Sequence, residues 1–397
     1  MESRRKIQAA ADVALISLFV GALWLPLLGM AFNAGRMSPE QENRRLAPFP
    51  SLSPDFRSLA AFPKDFKKYF EDNFGFRQTL VRGQAFVQLK LFGVSPSPRV
   101  MVGKDGWYFL AYEHSPTGAR LVPPLTNEEL EVWRRLLEGR RDWLAARGIR
   151  YLFTIFPGKQ TIYPEYLPDN FKPTGPSRLD QLMAYLKEHS SLEVLDLRPA
   201  LREAKSRHDL YYKTDTHWNF YGGFAAYRAL ARELGKSFQG LEPAAESETQ
   251  SAEIKYDGNL VLMMGLGGSI KEDAVDLSLR APSFSKVGDR PVVISGHPKR
   301  VTVTERKEPG PRLVMFHDSG ETALIPFLPQ HFSRAVFIYQ PRLDPALIIS
   351  ERPDIVVQEM SEMFLSADNF ADLSELTNLE TGGAVEPVQD AGRGPGE

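Results

Sequence analysis

Two short stretches of this chain carry residues able to do chemistry. In YYKTDTHWNFYGG (211–223), Asp215 and His217 stand two positions apart. On a strand or extended loop that spacing points both side chains the same way. A carboxylate can then accept from one imidazole nitrogen and leave the other free as a base. In RLVMFHDSGETALIPFL (312–328), an apolar run ends at Asp318-Ser319-Gly320 and a helix is expected to follow. A serine at the carboxyl end of a parallel strand, just before a helix, is exposed at the sheet edge. Backbone N–H groups nearby can hold an oxyanion there. The arrangement has the logic of a nucleophile elbow without its G-x-S-x-G sequence.

Each stretch alone has competing readings. The D-x-H pair also suits two metal ligands, although no companion histidine cluster accompanies it, or an aspartate satisfying a buried histidine. Ser319 also suits an ordinary helix N-cap. Together, however, Ser319, His217 and Asp215 supply a nucleophile, a base and an orienting carboxylate, each at an expected strand end of one sheet. That is the set an acyl-transfer site needs.

The elements that must position them follow a strand–helix alternation. VMVGKDGWYFL (100–110) reads as a hairpin turning at Asp105-Gly106. Residues 127–147 form an amphipathic helix, and RYLFTIFP (150–157) is a continuous apolar strand of the buried parallel kind. Helices at 177–189 and 220–234 and strands at 192–197, 312–318, 334–339 and 354–360 continue the pattern. The expected fold is α/β, a parallel sheet flanked by helices. Residues 239–311 are polar and rich in Gly and Pro, an insertion with room for short strands. Residues 62–92 carry aromatics at helical spacing and are expected to pack on the core.

The amino-terminal end has a different character. Residues 13–32 form a twenty-residue stretch without a charge, preceded by Arg4, Arg5 and Lys6. As a helix it spans roughly 30 Å, a bilayer's hydrocarbon thickness. The basic flank keeps the terminus cytoplasmic, so everything after about residue 35 lies outside the cytoplasm. A cleaved signal peptide is the rival; no good small-x-small cleavage site stands near residues 30–35. The organisation expected is a basic end and transmembrane anchor (1–35), an extended linker (36–61), a catalytic domain (62–370, with the insertion at 239–311) and a disordered tail (371–397).

The 397 residues carry 48 basic and 50 acidic side chains, a net charge of −2, which argues against a nucleic-acid partner. With no cysteine, disulfides, thiolate-held metals and a cysteine nucleophile are excluded.

Over most of its length, from about Asn43 to Leu365, the sequence resembles the alginate O-acetylation proteins of the AlgJ/AlgX type, which carry an SGNH-hydrolase-like domain. The resemblance rests on NRRLAPFP, FEDNFGFR, VGKDGWYFL, FPGKQTIYPEYLP, KTDTHWN, FHDS and ERPDIVVQEMSEMFL. It implies that Asp215, His217 and Ser319 are catalytic and that an acetyl group passes through Ser319 to an exported polysaccharide. It also implies a membrane-bound acyltransferase as supplier of that acetyl group, an inner-membrane anchor with the catalytic domain in the periplasm, and no metal or bound cofactor. An acetyl esterase with the same triad and a non-catalytic glycan-binding scaffold of an export complex are the rival functions. Where the family often has Gly-Asp-Ser-Phe, this chain has His317-Asp318-Ser319-Gly320, a difference that bears on the oxyanion geometry. Substrate contact is expected of Trp218, Asn219, Lys159, Tyr163, Gly258 and Asn259, against structural roles for each. Trp107 and His331 are expected to serve packing.

Overall fold

The computed structural model describes residues 2–32, 46–51, 55–115, 119–294 and 297–366, together with Leu376 and Leu379. Most of the expected tail and residues 36–45 of the expected linker lie outside the described residues. The chain divides into two compact units, Met1–Pro96 and Ser97–Glu397. The aromatic helices expected in the domain from residue 62 therefore belong with the first unit.

In the first unit, helix α1 (Glu2–Ala31) contains the apolar run. Among the described residues it provides the one helix, Arg5–Met30, long and apolar enough to cross a membrane. Helix α2 (Phe56–Asn73) is capped by the Asp55 carboxylate, which accepts from Ser58 N–H at 2.9 Å. The helical stretch expected over 62–92 breaks at Phe74-Gly75-Phe76 before α3 (Arg77–Phe92). Phe76 adopts a left-handed φ of 60°. The break has its cause in a contact with α1. Gly75 N–H donates to Pro26 O at 3.0 Å, and a Cβ on Gly75 would run into the backbone of Gly29.

The second unit holds the α/β fold. Hairpin β1 (Val100–Val102) and β2 (Tyr108–Leu110) turns at Asp105-Gly106, both with positive φ. Helix α4 (Asn127–Ala145) opens on a Thr126/Glu129 capping box. Strand β3 (Arg150–Phe156) leads to the short helix α5 (Lys159–Ile162). Helix α6 (Arg178–His189), strand β4 (Val194–Asp196), helix α7 (Arg198–Ala204) and helix α8 (Phe220–Gly235) follow.

The insertion is richer in strand than its composition suggests. β5 (Thr249–Tyr256) and β6 (Glu272–Leu279) pair as a separate ribbon around helix α9 (Asn259–Met263). β7 (Phe284–Ile294) and β8 (His297–Arg306) are not short: they span eleven and ten residues. The chain ends its fold with β9 (Arg312–His317), β10 (Arg334–Tyr339), helix α10 (Pro345–Glu351) and β11 (Ile355–Ser361).

The main sheet has the order β4-β3-β11-β9-β10-β8-β7. Its first five strands are parallel; the β7–β8 hairpin adds antiparallel on β10. Alternating strand residues feed two cores. Leu152, Phe156, Met315 and Phe337 pack with α8 through Tyr227 and Leu230. Tyr151, Phe153, Ile155 and Phe316 pack with α4 and α6 through Trp133, Leu137 and Leu182. Coverage on both faces explains why β3 reads as an unbroken apolar run. Each fully buried aliphatic side chain contributes roughly 2 kcal/mol of burial.

Candidate active site

Strand β9 ends at His317 in the middle of the sheet and delivers Asp318-Ser319-Gly320 to the carboxyl edge. Asp318 is buried and pins this turn from two sides. Its Oδ1 accepts from Gly320 N–H at 3.0 Å and its Oδ2 from Ser361 N–H at 2.6 Å. Burial pushes the Asp318 carboxyl up, against those two hydrogen bonds. Asp318 N–H in turn faces Glu359 Oε2 at 3.3 Å. The N–H groups of Asp318 and Gly320, on either side of the serine, thus already have carboxylate acceptors. Gly320 stands where the resemblance implies an aromatic. A Cβ here would lie 2.9 Å from Glu359 Oε1 and 3.0 Å from the Phe156 ring.

The Asp215–His217 segment sits not at a strand end, as expected, but on the loop between α7 and α8. A bridge between Tyr211 and Trp218 closes that loop. The ends are tied, so the residues between them turn tightly. Glu272 accepts from Lys213 N–H and Thr214 N–H, both at 2.8 Å. Lys159, buried, donates to the carbonyls of Tyr212, Lys213 and Asp215 at 2.9, 3.1 and 2.6 Å. Burial lowers this ammonium to about 7, although Asp215 and Glu272 favour its charge.

Within this frame the two stretches meet. Asp215 Oδ1 lies 2.6 Å from His217 Nδ1, and His217 Nε2 lies 2.7 Å from Ser319 Oγ. Asp215 also accepts at Oδ1 from His217 N–H at 2.9 Å, and at Oδ2 from Asn259 N–H at 2.7 Å and Tyr256 O–H at 3.1 Å. Burial works against the charge on Asp215, but these donors and His217 outweigh it and hold the carboxyl down at about 2. An ionised acceptor at Nδ1 assigns the proton to that nitrogen and leaves the Nε2 lone pair facing the serine hydroxyl. Asp215 is buried, whereas the His217 side chain keeps 29% of its surface open to solvent. Such a line can draw a proton from Ser319 and return it.

The six residues expected to touch substrate are turned on the protein itself. Trp218 is buried, packs on Phe156 with ring centroids 4.2 Å apart, and donates its indole N–H to Gly320 O. Asn219 caps α8, accepting from Gly222 N–H at 3.1 Å and donating to Asp209 O. Lys159 grips the loop. The Tyr163 hydroxyl accepts from Leu210 N–H at 2.8 Å, and burial raises its pKa. Gly258 lets its chain pass against Thr214, whose carbonyl a Cβ would strike. Asn259 accepts from Thr216 N–H at 3.0 Å and donates to Thr216 Oγ1 at 2.8 Å, besides its bond to Asp215. Trp107 lies in the core against Tyr163 and Tyr166, and buried His331 meets the Tyr227 hydroxyl at 2.9 Å, both in packing roles as expected.

Tyr256 and Glu272 were missed. Tyr256 stands two residues before Gly258, and its proximity to that position is the signal the sequence offers. Nothing in the sequence ties Glu272 to Thr214.

Residues 100–280 match the family model described as the SGNH hydrolase-like domain of acetyltransferase AlgX. This span holds Asp215 and His217; Ser319 lies beyond it. The probable alginate O-acetylase AlgJ of Azotobacter vinelandii is 24% identical over 236 residues, 59% of this chain and 55% of the relative. That of Pseudomonas putida is 28% identical over 183 residues, 46% of each chain. The chain thus spans about half the length of the curated relatives it matches. Among solved structures, the O-acetyltransferase domain of Pseudomonas putida AlgJ aligns with a TM-score of 0.50 at 20% identity, covering 71% of this chain and 98% of that one; the likeness is one of fold. By family model over residues 100–280 and by curated relatives, this chain resembles the AlgJ/AlgX type with its SGNH-hydrolase-like domain, and the solved structure shares its fold.

Proposed function

We propose that this chain is an O-acetyltransferase that acetylates hydroxyls of an exported polysaccharide through an acetyl group carried on Ser319. The observation that carries the reading is the unbroken line from Asp215 through His217 to Ser319 Oγ. The names of the relatives favour an alginate-like polymer as acceptor.

The geometry suits two displacement steps. His217 Nε2 takes the hydroxyl proton as Ser319 Oγ attacks the acetyl carbonyl. The tetrahedral intermediate collapses, the donor's oxygen or sulfur leaves, and His217 returns the proton to it. A sugar hydroxyl then gives its proton to His217 and attacks the acetyl-serine carbonyl. Collapse regenerates Ser319 with the proton that His217 held. Asp215 stays ionised throughout and stabilises the imidazolium.

α1 serves as an inner-membrane anchor in this reading, with the catalytic domain on the periplasmic side and reaching about residue 370. Acetyl-coenzyme A is cytoplasmic, so a membrane-bound acyltransferase hands acetyl across the bilayer to Ser319.

The test uses the full chain in detergent, wild type and Ser319→Ala, with p-nitrophenyl acetate and an oligosaccharide acceptor. Acetylated sugar from wild type alone supports the transferase. Nitrophenol release without acetylated sugar, lost in the variant, replaces it with an esterase. Equal behaviour of the two proteins removes Ser319 from the chemistry and favours a glycan-binding scaffold.

A further inference from the structure

Helix α3 exposes apolar side chains along its whole length. Leu80, Val87 and Leu91 fall within about 40° of one another at 100° per residue, and all three are exposed. Leu91 and Phe92 keep 75% and 71% of their surface open, and exposed Val94 extends the patch past the helix end. On the opposite side Ala85 and Leu89 are buried, with exposed Phe86 and Phe92 flanking them.

Two further observations say what covers the open side. The first is depth. The Phe74-Gly75-Phe76 turn that starts α3 is held against α1, through Gly75 N–H to Pro26 O and through the close Gly29–Gly75 approach. Gly29 stands three residues from the outer end of the apolar run 13–32, roughly 4.5 Å along the helix. If α1 spans the bilayer, α3 therefore begins at the boundary of hydrocarbon and headgroups. The second is charge. Arg77, Arg82 and Lys90 are the charged residues of α3, and it has no acidic one. A basic, apolar helix at that depth matches an anionic lipid surface.

We propose that α3 is a lipid-binding foot, its Leu80–Val87–Leu91 stripe seated in the outer-leaflet interface beside α1. This rests on the anchor reading of α1. The foot gives the first unit a second attachment to the membrane, so that α1 is not its sole hold on the bilayer.

The chain contains no cysteine, so single labels need no background removal. Leu91→Cys, Leu18→Cys in α1 and Glu203→Cys on α7 are made in the full chain and labelled with an environment-sensitive fluorophore. Each is reconstituted at low density in vesicles of phosphatidylglycerol and phosphatidylethanolamine. Quenching by headgroup-proximal nitroxide lipid is compared with quenching by aqueous iodide. The expected result is severalfold stronger nitroxide than iodide quenching at 18 and 91, and the reverse at 203. Iodide access at 91 with lipid quenching at 18 overturns the foot and leaves the anchor standing. Loss of lipid quenching at 18 overturns the anchor, and the foot with it. Shielding at 91 from both quenchers assigns the stripe to a protein partner instead and also overturns the foot.

Discussion

The indole N–H of Trp218 donates to the carbonyl oxygen of Gly320 at 2.8 Å. The residue after His217 is thereby tied to the residue after Ser319, 102 positions away in the chain. Both groups are buried, so the bond is not exchanged for water. Phe156, at the end of β3, supports the same indole from below. His217 and Ser319 belong to different segments, and this bond joins the two.

Trp218→Phe keeps an aromatic ring on Phe156 but removes the donor and strands the Gly320 carbonyl. A stability loss of about 1–3 kcal/mol is expected in urea unfolding. Turnover should fall about 10-fold or more with a smaller change in KM, because geometry rather than binding is lost. Unchanged kcat would mean that the tie does not set the His217–Ser319 distance.

Lys159 should impose an alkaline limb on activity. Below about 7 its ammonium has three protons for the three carbonyls of Tyr212, Lys213 and Asp215. Above that pH it loses one, and the loop bearing Asp215 and His217 loosens. Wild-type kcat/KM is expected to decline as pH rises through about 7, whereas Lys159→Met should be slower throughout and lack that limb. Stability runs the opposite way. The folded pKa is depressed below the unfolded value, so between about 7 and 10.5 the unfolded chain binds more protons and this group's contribution rises with pH. Opposite slopes of activity and stability in one pH series distinguish positioning from general unfolding.

Glu362 predicts a pH-dependent stability difference. Burial raises its carboxyl to about 7, although Gly158 N–H and the Thr161 hydroxyl donate to it. A carboxyl raised in the folded state contributes stability that is fully present below its unfolded pKa and lost as pH rises through about 7. Relative to Glu362→Gln, wild type should lose on the order of 3 kcal/mol between pH 4 and pH 9. A difference independent of pH would refute the assignment.

The parts of the site legible in the sequence are those carried by short motifs. Asp215 and His217 share one loop, and Ser319 follows an apolar strand, so local spacing exposes all three. β3 and β9 were legible because burial on both faces leaves an unbroken apolar run. The supporting roles were not legible, because they are contacts across long stretches of chain. Lys159 stood out as a polar residue after a strand, which suits substrate as well as it suits three buried carbonyls. Asn259 lies 44 positions from the carboxylate it holds. The break at Phe74–Phe76 likewise depends on Gly29, a contact that helical periodicity over 62–92 does not encode. Composition makes residues 239–311 look like an insertion with room only for short strands, although VTVTER within β8 alternates with the period of a strand.

The most direct test asks whether Ser319 carries the acetyl group. The full chain is mixed with p-nitrophenyl acetate, quenched in acid within the first turnovers, digested and examined by mass spectrometry. The account predicts an acetyl adduct on Ser319, absent from Ser319→Ala and discharged when an oligosaccharide acceptor is added before the quench. Acetyl transfer to sugar by a Ser319→Ala protein, or an adduct on another residue that turns over equally fast, would contradict it.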